Sequence, residues 1–492
     1  FVTLIILFRY AAYRLKRVLR HALTDILDKA LFKTHLILIA AAIGIACRII
    51  DDHLVKPRFK TFNIRRVFKN GTVLQLSDLG RNENPQMADM RINQIDNALS
   101  GSVSIASDEL RLKGKSFIST ETIQLYQGNY SNKTETDQNG SVDITSKVFE
   151  VHDSSYVKTT TVIPMRDAGD IKIDTGTLEI SGNSSLLSNT EPNAYDIERG
   201  IKDSVYGDAG SLEITAQSLK LADRSKISSD SFTSGAGGNV VIDAVDLGLE
   251  GRSAIYAGAL DTGDGGKIEI NSSSMRLSDK SAVVADVRAS GQGGSIGIKL
   301  EEMDLDNSLI FGSTTGSGKG SSIRVESGVI TLQNGARIES AASGEGSAGA
   351  LDIESGQTVI VGLGEGFDPK DIEGGETGEQ VSSGLVTSTV GAGDAGTIRL
   401  SGASLELREG LVSSSSVGEG EAGSIELDLA EGLELREGSS VSVSSSQADG
   451  GDIRVSTDGD VRLSGSELTA SAAGDGNAGT IRLSGASLEL RE

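Results

Sequence analysis

The chain has 492 residues, 37% hydrophobic and 4% aromatic, with no tryptophan and a formal net charge of −23 at pH 7. Residues 1–70 carry 14 Lys and Arg against 4 Asp and Glu, a net +10, which leaves −33 for residues 71–492. So acidic a chain lacks the basic stripes and stacking platforms of nucleic-acid-binding proteins, and we expect no nucleic-acid partner. The single cysteine, Cys47, excludes an internal disulfide.

Residues 1–60 are predicted to form a separate basic and apolar helical segment. Tyr10 to Lys33 show a cationic amphipathic pattern, and Leu36 to Ala46 form an apolar run of 11 residues. Such a run is too short to span a bilayer comfortably and is close to the length of a signal-peptide core. We interpret the segment as an export signal, with a membrane-surface anchor helix or a non-native start as alternatives. Residues 61–100 are predicted to connect or to cap the next region.

Residues 101–492 carry a phrase that recurs about every 28 residues. Ala-Gly or Gly-Gly is followed by any residue, an aliphatic, any residue and another aliphatic. The first aliphatic falls at Ile171, Leu212, Val240, Ile268, Ile296, Ile323, Leu351, Ile398, Ile425, Ile453 and Ile481. Looser copies occur at Val103 and Val142. A repeat this regular predicts stacked similar units, a solenoid.

Within one unit, inward-facing residues come in three alternating pairs. In the unit from Gly266 these pairs are Ile268 with Ile270, Met275 with Leu277, and Val283 with Ala285. Alternation is the period of a strand with one buried face. We therefore predict an all-β parallel β-helix of about 11–13 coils, with three short strands per coil. The last inward position is small in most coils, which we interpret as a narrow corner: Ser229, Ala257, Ala285, Ser313, Ser340 and Ala470.

The chemical motifs in the coils have structural explanations. Gly-x-Gly-x-x-Gly occurs four times, as at Gly344 to Gly349, but a strand follows where a phosphate site needs a helix. The four histidines lie outside the regular coils, and the pectinase-like residue set is absent from them. A calcium-binding β-roll would repeat every nine residues. We predict no cofactor, no metal and no enzymatic activity, with a carboxylate site of another pattern as the alternative.

Two insertions interrupt the repeat, one near 189–203 and one near 362–380. Insertions in solenoids often lie on the binding face. The second is therefore our candidate ligand-binding loop, with a tolerated surface loop as the alternative. Its acidic residues are Glu365, Asp368, Asp371, Glu373, Glu376 and Glu379.

The phrase from Ser383 to Ile398, and the turns Gly418 to Gly423 and Gly474 to Gly479, resemble the repeats of cyanobacterial-type filamentous haemagglutinin proteins. The resemblance covers roughly residues 160–492. It implies a right-handed parallel β-helix that is exported by two-partner secretion through an outer-membrane pore and displayed as an adhesin. The family's Asn-Pro-Asn export motif is not matched, because Gln86 follows Asn84-Pro85. Solenoids need capped ends, so we expect the chain to be part of something longer.

We therefore predict a secreted or surface-exposed, non-enzymatic adhesin stalk whose partners are the secretion pore and glycans or proteins of host or neighbouring cells. The alternatives are a polysaccharide-binding or polysaccharide-cleaving β-helix, and a decayed gene whose repeats fold without a function. One observation separates the first two classes. An enzyme or glycan binder should show a cleft with three or four convergent Asp, Arg or Lys side chains, whereas a stalk should show only scattered, paired charges.

Overall fold

The computed structural model describes residues 74–76, 89–95, 102–123, 140–162, 166–192, 206–288, 290–367 and 376–492. This part of the chain is all-β, with one sheet of 16 strands, one of 13 and a two-stranded hairpin. Successive strands alternate between the two large sheets and pair in parallel with the strands one coil away, as the sequence predicted. The result is a parallel β-solenoid of about 12 turns. The predicted helical segment, residues 1–60, lies outside the described residues.

The two large sheets differ in strand length, and we call them the long-strand and the short-strand sheet. The long-strand sheet contains Leu74–Leu76, Val103–Leu112, Val142–Val151, Ile171–Ile180, Leu212–Leu221, Asn239–Leu249, Lys267–Leu277, Ser295–Asp306, Ser322–Gln333, Leu351–Val361, Ile398–Arg408, Ile425–Arg436, Ile453–Thr457, Asp460–Ser464, Ile481–Ser484 and Ser487–Arg491. The short-strand sheet contains Asp89–Ile95, Phe117–Ile123, Tyr156–Thr161, Ser185–Thr190, Lys226–Ser228, Ala254–Tyr256, Ala282–Val287, Leu309–Thr314, Arg337–Ala342, Gly384–Thr389, Leu411–Ser416, Ser440–Ser445 and Glu467–Ala472. The hairpin consists of Leu363–Phe367 and Glu376–Ser382.

The register of the long-strand sheet follows the repeat. Every first aliphatic from Ile171 to Ile481 pairs with its counterpart in the next coil. The looser copies at Val103 and Val142 join the same ladder. The first two predicted strands of a coil usually continue as one strand of 10 to 12 residues, and they are separate only in the last two coils. The inward residues form one core that runs through all the coils.

The bend from a long strand to a short strand is built on left-handed backbone. Asp223 and Arg224 have φ values of 55° and 62°, and equivalent pairs recur in other coils. A buried serine follows most of these pairs, and Ala336 follows Asn334 and Gly335. The hydroxyl of Ser225 accepts a hydrogen bond from the Ser184 N–H at 3.3 Å, and the Ser225 N–H donates to Ser253 Oγ at 3.3 Å. This serine ladder, which the sequence analysis missed, joins coil to coil where the left-handed turns interrupt the sheet.

The predicted narrow corner is an inward ladder of small residues, of which Ser229 and Ser340 carry hydroxyl groups and Ala257 and Ala285 do not. Ser229 Oγ donates to the carbonyl oxygen of Gly210, and Ser340 Oγ donates to that of Ser321 at 2.9 Å. These bonds tie the short strand to the bend that starts a long strand. Ser313 was wrongly assigned to this ladder: Gly312 pairs with the inward position, and Ser313 pairs with Asp286 on the outer face.

Candidate functional site

The short-strand sheet is interrupted in the middle of the solenoid. Lys226–Ser228 and Ala254–Tyr256 have three residues each, whereas the flanking strands Ser185–Thr190 and Ala282–Val287 have six. Beyond the two short strands the regular strand pairing gives way to isolated bridges at Ser231 and Ala259, although backbone hydrogen bonds still join the coils there, as from the Ser231 N–H to the carbonyl oxygen of Gly258 at 2.9 Å. The outer face opens here into a cleft of about 300 Å³.

Asp230 holds the centre of this cleft. Its Oδ1 accepts a hydrogen bond from the Gly258 N–H at 2.7 Å, and its Oδ2 accepts one from Ser228 Oγ at 2.8 Å. Its own N–H donates to Asn189 Oδ1 at 2.9 Å. The residue is only 8% exposed. Burial raises the pKa of Asp230 to about 6, although the hydrogen bonds from Ser228 and Gly258 act in the opposite direction. The carboxylate thus replaces backbone pairing where the sheet is open.

A second buried carboxylate, Asp286, lies on the same outward ladder. It is 3% exposed, its Oδ1 accepts a hydrogen bond from Ser313 Oγ, and Arg288 Nε lies 3.7 Å from its Oδ2. Gly258 occupies the rung between the two aspartates. A Cβ at this position would lie 3.2 Å from Asp230 Oδ1 and 2.8 Å from the carbonyl oxygen of Asp286. The absent side chain therefore leaves a notch between two carboxylates.

Cations and aromatic rings complete the lining. Arg224, Lys226 and Arg288 are exposed at the cleft. Phe232 is 43% exposed, and the half-buried Tyr256 lies between the cleft and a small apolar cluster on the outer face of the sheet. Asp, Arg and Lys side chains thus line one concave part of the outer face.

The long-strand sheet shows the pattern expected of a stalk. Along its outward face, ions of opposite charge pair between neighbouring coils. Lys172 Nζ lies 3.0 Å from Glu213 Oε2, and Arg399 lies 3.1 Å from Glu426 and 3.4 Å from Asp352. Such exposed pairs add little to stability and mainly keep the surface hydrated. A shallow depression of about 400 Å³ lies at the bend of this sheet, where Lys299 and Glu326 pair at 3.3 Å.

The second insertion folds back over the short-strand sheet. Its strands Leu363–Phe367 and Glu376–Ser382 are antiparallel, and Phe367 packs on the outer apolar cluster of Ala254, Ala282, Val284 and Leu309. Glu365 Oε2 lies 3.1 Å from Lys280 Nζ, three coils back along the solenoid. The base of the insertion therefore covers the sheet next to the cleft.

The structure places only part of the predicted ligand-binding loop. Glu365 is paired with Lys280, Glu379 is exposed, and Glu376 begins the returning strand. Asp368, Asp371 and Glu373 lie outside the described residues, so the loop as a ligand site stays a prediction. The first insertion, predicted near 189–203, follows the strand Ser185–Thr190, and residues 193–203 lie outside the described residues.

In the described ranges, no group of three or more His, Cys, Asp or Glu residues could hold a metal ion. His152 lies at a bend of one looser coil, with Nδ1 2.5 Å from Ser181 Oγ and Nε2 3.6 Å from Glu150. Among the residues the structure describes, no helix is long and apolar enough to cross a membrane.

The chain matches no known protein family, no curated protein and no solved structure. The resemblance to filamentous haemagglutinin repeats therefore stays a prediction.

Proposed function

We propose that this protein is a non-enzymatic, adhesin-type solenoid that binds a glycan in the cleft at Asp230 and Asp286. The observation that carries the proposal is the interrupted sheet, because it brings carboxylate, amide, cationic and aromatic groups into one concave site. Display at the cell surface and export through an outer-membrane pore belong to the same proposal, and the resemblance of the repeats is their support.

The chemistry of the lining suits a sugar. Carboxylate and amide oxygens accept hydrogen bonds from hydroxyl groups, and guanidinium and ammonium groups donate to them. The exposed ring of Phe232 offers a flat apolar surface to the C–H face of a pyranose. The lining is more polar than that of a typical ligand site, which suits a ligand that carries many hydroxyl groups.

Polysaccharide cleavage is the second candidate, and the two buried aspartates favour it. They are two rungs apart, so their Cα atoms are separated by about 10 Å. The carboxyl groups of glycosidases are roughly 5–9.5 Å apart. We favour binding because the oxygens of Asp230 are held by Ser228 and Gly258. Asp286, 3% exposed, is likewise held by Ser313. A general acid must instead reach the glycosidic oxygen.

The first experiment is a glycan array with the full chain, followed by calorimetry on the glycan that binds best. Phe232→Ala should weaken binding roughly two- to tenfold, the range expected for loss of one aromatic contact. Val417→Ala is the matched control, because Val417 is an exposed apolar residue, 61% accessible, that follows a short strand as Phe232 does, but far from the cleft. No binding to any glycan, or equal losses in the two variants, would contradict the proposal.

Cleavage is tested separately on the bound polysaccharide by counting new reducing ends. The proposal predicts none. Release that disappears in Asp286→Asn would establish a hydrolase in place of a binding protein.

A further inference from the structure

We propose that the ligand is an acidic glycan whose carboxylate groups bind to Arg224 and Lys226. This inference rests on the proposed function, since it names the chemical class that the same cleft takes. It rests on cations that recur at the bend between long and short strands.

Three consecutive coils place a cation at the same position of this bend. The Arg224 N–H donates to the carbonyl oxygen of Gly251, and the Arg252 N–H donates to that of Asp279, so the bends stack in register. Lys280 follows in the next coil. All three residues have left-handed backbone, with φ values of 62°, 63° and 63°. Their side chains therefore leave equivalent points about 4.8 Å apart along the solenoid. We call Arg224, Arg252 and Lys280 the basic ladder.

The basic ladder already holds a carboxylate in the structure. Glu365 of the inserted hairpin lies 3.1 Å from Lys280, whose side chain is only 11% exposed. The hairpin reaches back three coils to make this contact. An acid group of the protein's own chain thus occupies one end of the ladder and shows how an external carboxylate would be held at the other end.

The opposite end of the ladder is open. Within the described ranges of the chain, neither Arg224 nor Lys226 forms an ion pair, and both are exposed at the cleft. Lys226 has small neighbours on its ladder, Ser185 and Ala254, which leave room around its ammonium group. Most other cations of the described solenoid have an acidic partner, as the charge of −33 over residues 71–492 would lead one to expect. Two unpaired cations beside a cleft are therefore available to a ligand anion.

Asp230 interacts with Lys226 but does not pair with it. Lys226 and Asp230 are four residues apart along one short strand and its extension, so about 13 Å separates their Cα atoms. The charge of Lys226 still acts on Asp230 and works against the rise of its pKa on burial, but within the described residues the two groups form no ion pair. The cleft accordingly has a cationic end for an acid group and, further along the strand, carboxylates for sugar hydroxyls.

The test is calorimetry of the full chain with an oligomer of a uronic acid and with its methyl ester, which differ only in charge. We expect the acid to bind at least tenfold more tightly than the ester, a difference of about 1.4 kcal/mol. The double variant Arg224→Ala/Lys226→Ala should remove this preference and leave binding of the ester within twofold. Raising the salt concentration should weaken binding of the acid only.

The control variant Lys319→Ala/Arg454→Ala removes two exposed cations that also lack an ion pair in the described structure but lie away from the cleft. It should leave both affinities unchanged. Equal losses in the two double variants would overturn the inference in favour of unspecific charge attraction. Equal binding of acid and ester would overturn it while leaving a neutral-glycan site intact. If neither oligomer binds but the glycan array is positive, the inference is overturned and the cleft takes another sugar. If no glycan on the array binds either, the proposed function itself is refuted.

Discussion

The buried carboxylate of Asp230 should make the central coils less stable as the pH rises. Its pKa of about 6 lies above the 3.8 of an unconstrained aspartate, so ionisation costs more in the folded than in the unfolded chain. The contribution to stability is therefore most favourable below pH 3.8 and is lost between about pH 4 and pH 6. This difference between the folded and unfolded pKa lowers the free energy of unfolding by about 3 kcal/mol at neutral pH and above.

Asp230→Asn removes the charge and keeps the geometry. The amide oxygen can still accept from the Gly258 N–H, and Ser228 Oγ retains its hydrogen bond to Asn189 Oδ1 at 3.0 Å. We expect the variant to be more stable than the wild type by up to about 3 kcal/mol at pH 8 and similar to it at pH 4.

Hydrogen exchange measured by mass spectrometry is the appropriate assay, because a solenoid unfolds locally and not as one unit. Peptides covering residues 224–232 and 252–260 should exchange up to about 100-fold more slowly in Asp230→Asn than in the wild type at pH 8. Comparing the two proteins at one pH removes the intrinsic effect of pH on exchange. A ratio that is the same at pH 4 and at pH 8 would refute the argument that burial raises the pKa of Asp230.

Three further substitutions test the packing. Ile268→Asp places a charge on the inward ladder, where Ile268 is fully buried, and should unfold the adjoining coils. The control Glu269→Ser should change the free energy of unfolding by under about 0.5 kcal/mol, and equal effects of the two variants in circular dichroism melts would show that the register is wrong. Gly258→Ala should cost about 1–3 kcal/mol in denaturant melts, because the new methyl would lie 2.8 Å from a backbone oxygen, and Gly248→Ala, with open space around it, should cost less than 0.5 kcal/mol. Phe367→Ala should release the hairpin from the outer apolar cluster and speed cleavage of the hairpin in limited proteolysis, while the coils stay intact. Unchanged cleavage would mean that the Phe367 ring does not hold the hairpin.

The coil and its register could be predicted because the pattern is local and repeated. Each first aliphatic faces inward, and identical spacing in the next coil fixes which residue it meets, as the Ile268 and Ile296 pair shows. Where an irregular spacing follows, the prediction slipped by one residue, and Ser313 was placed inward in place of Gly312. The serine ladder was missed because its hydrogen bonds depend on left-handed turns that the hydrophobic pattern does not report.

The cleft could not be predicted, because it comes from an irregularity in the coil-to-coil pairing, where the side chains of Asn189 and Asp230 accept hydrogen bonds from backbone N–H groups of the next coil. Nothing in a single coil shows that the short strand stops at Ser228 or at Tyr256. One signal was available. Asp286 occupies an outward position that is serine in most later coils, such as Ser415 and Ser444, and alanine at Ala341. A buried acid where most later coils carry serine marks a coil under a different constraint.

The most direct test of the account is a crystal structure of the full chain with the tightest-binding oligosaccharide from the array. We predict sugar density in the cleft, with a ring against Phe232, hydroxyls near Asp230 and an acid group at Arg224 and Lys226. Density on the long-strand sheet or on the inserted hairpin alone would contradict the assignment of the cleft as the ligand site.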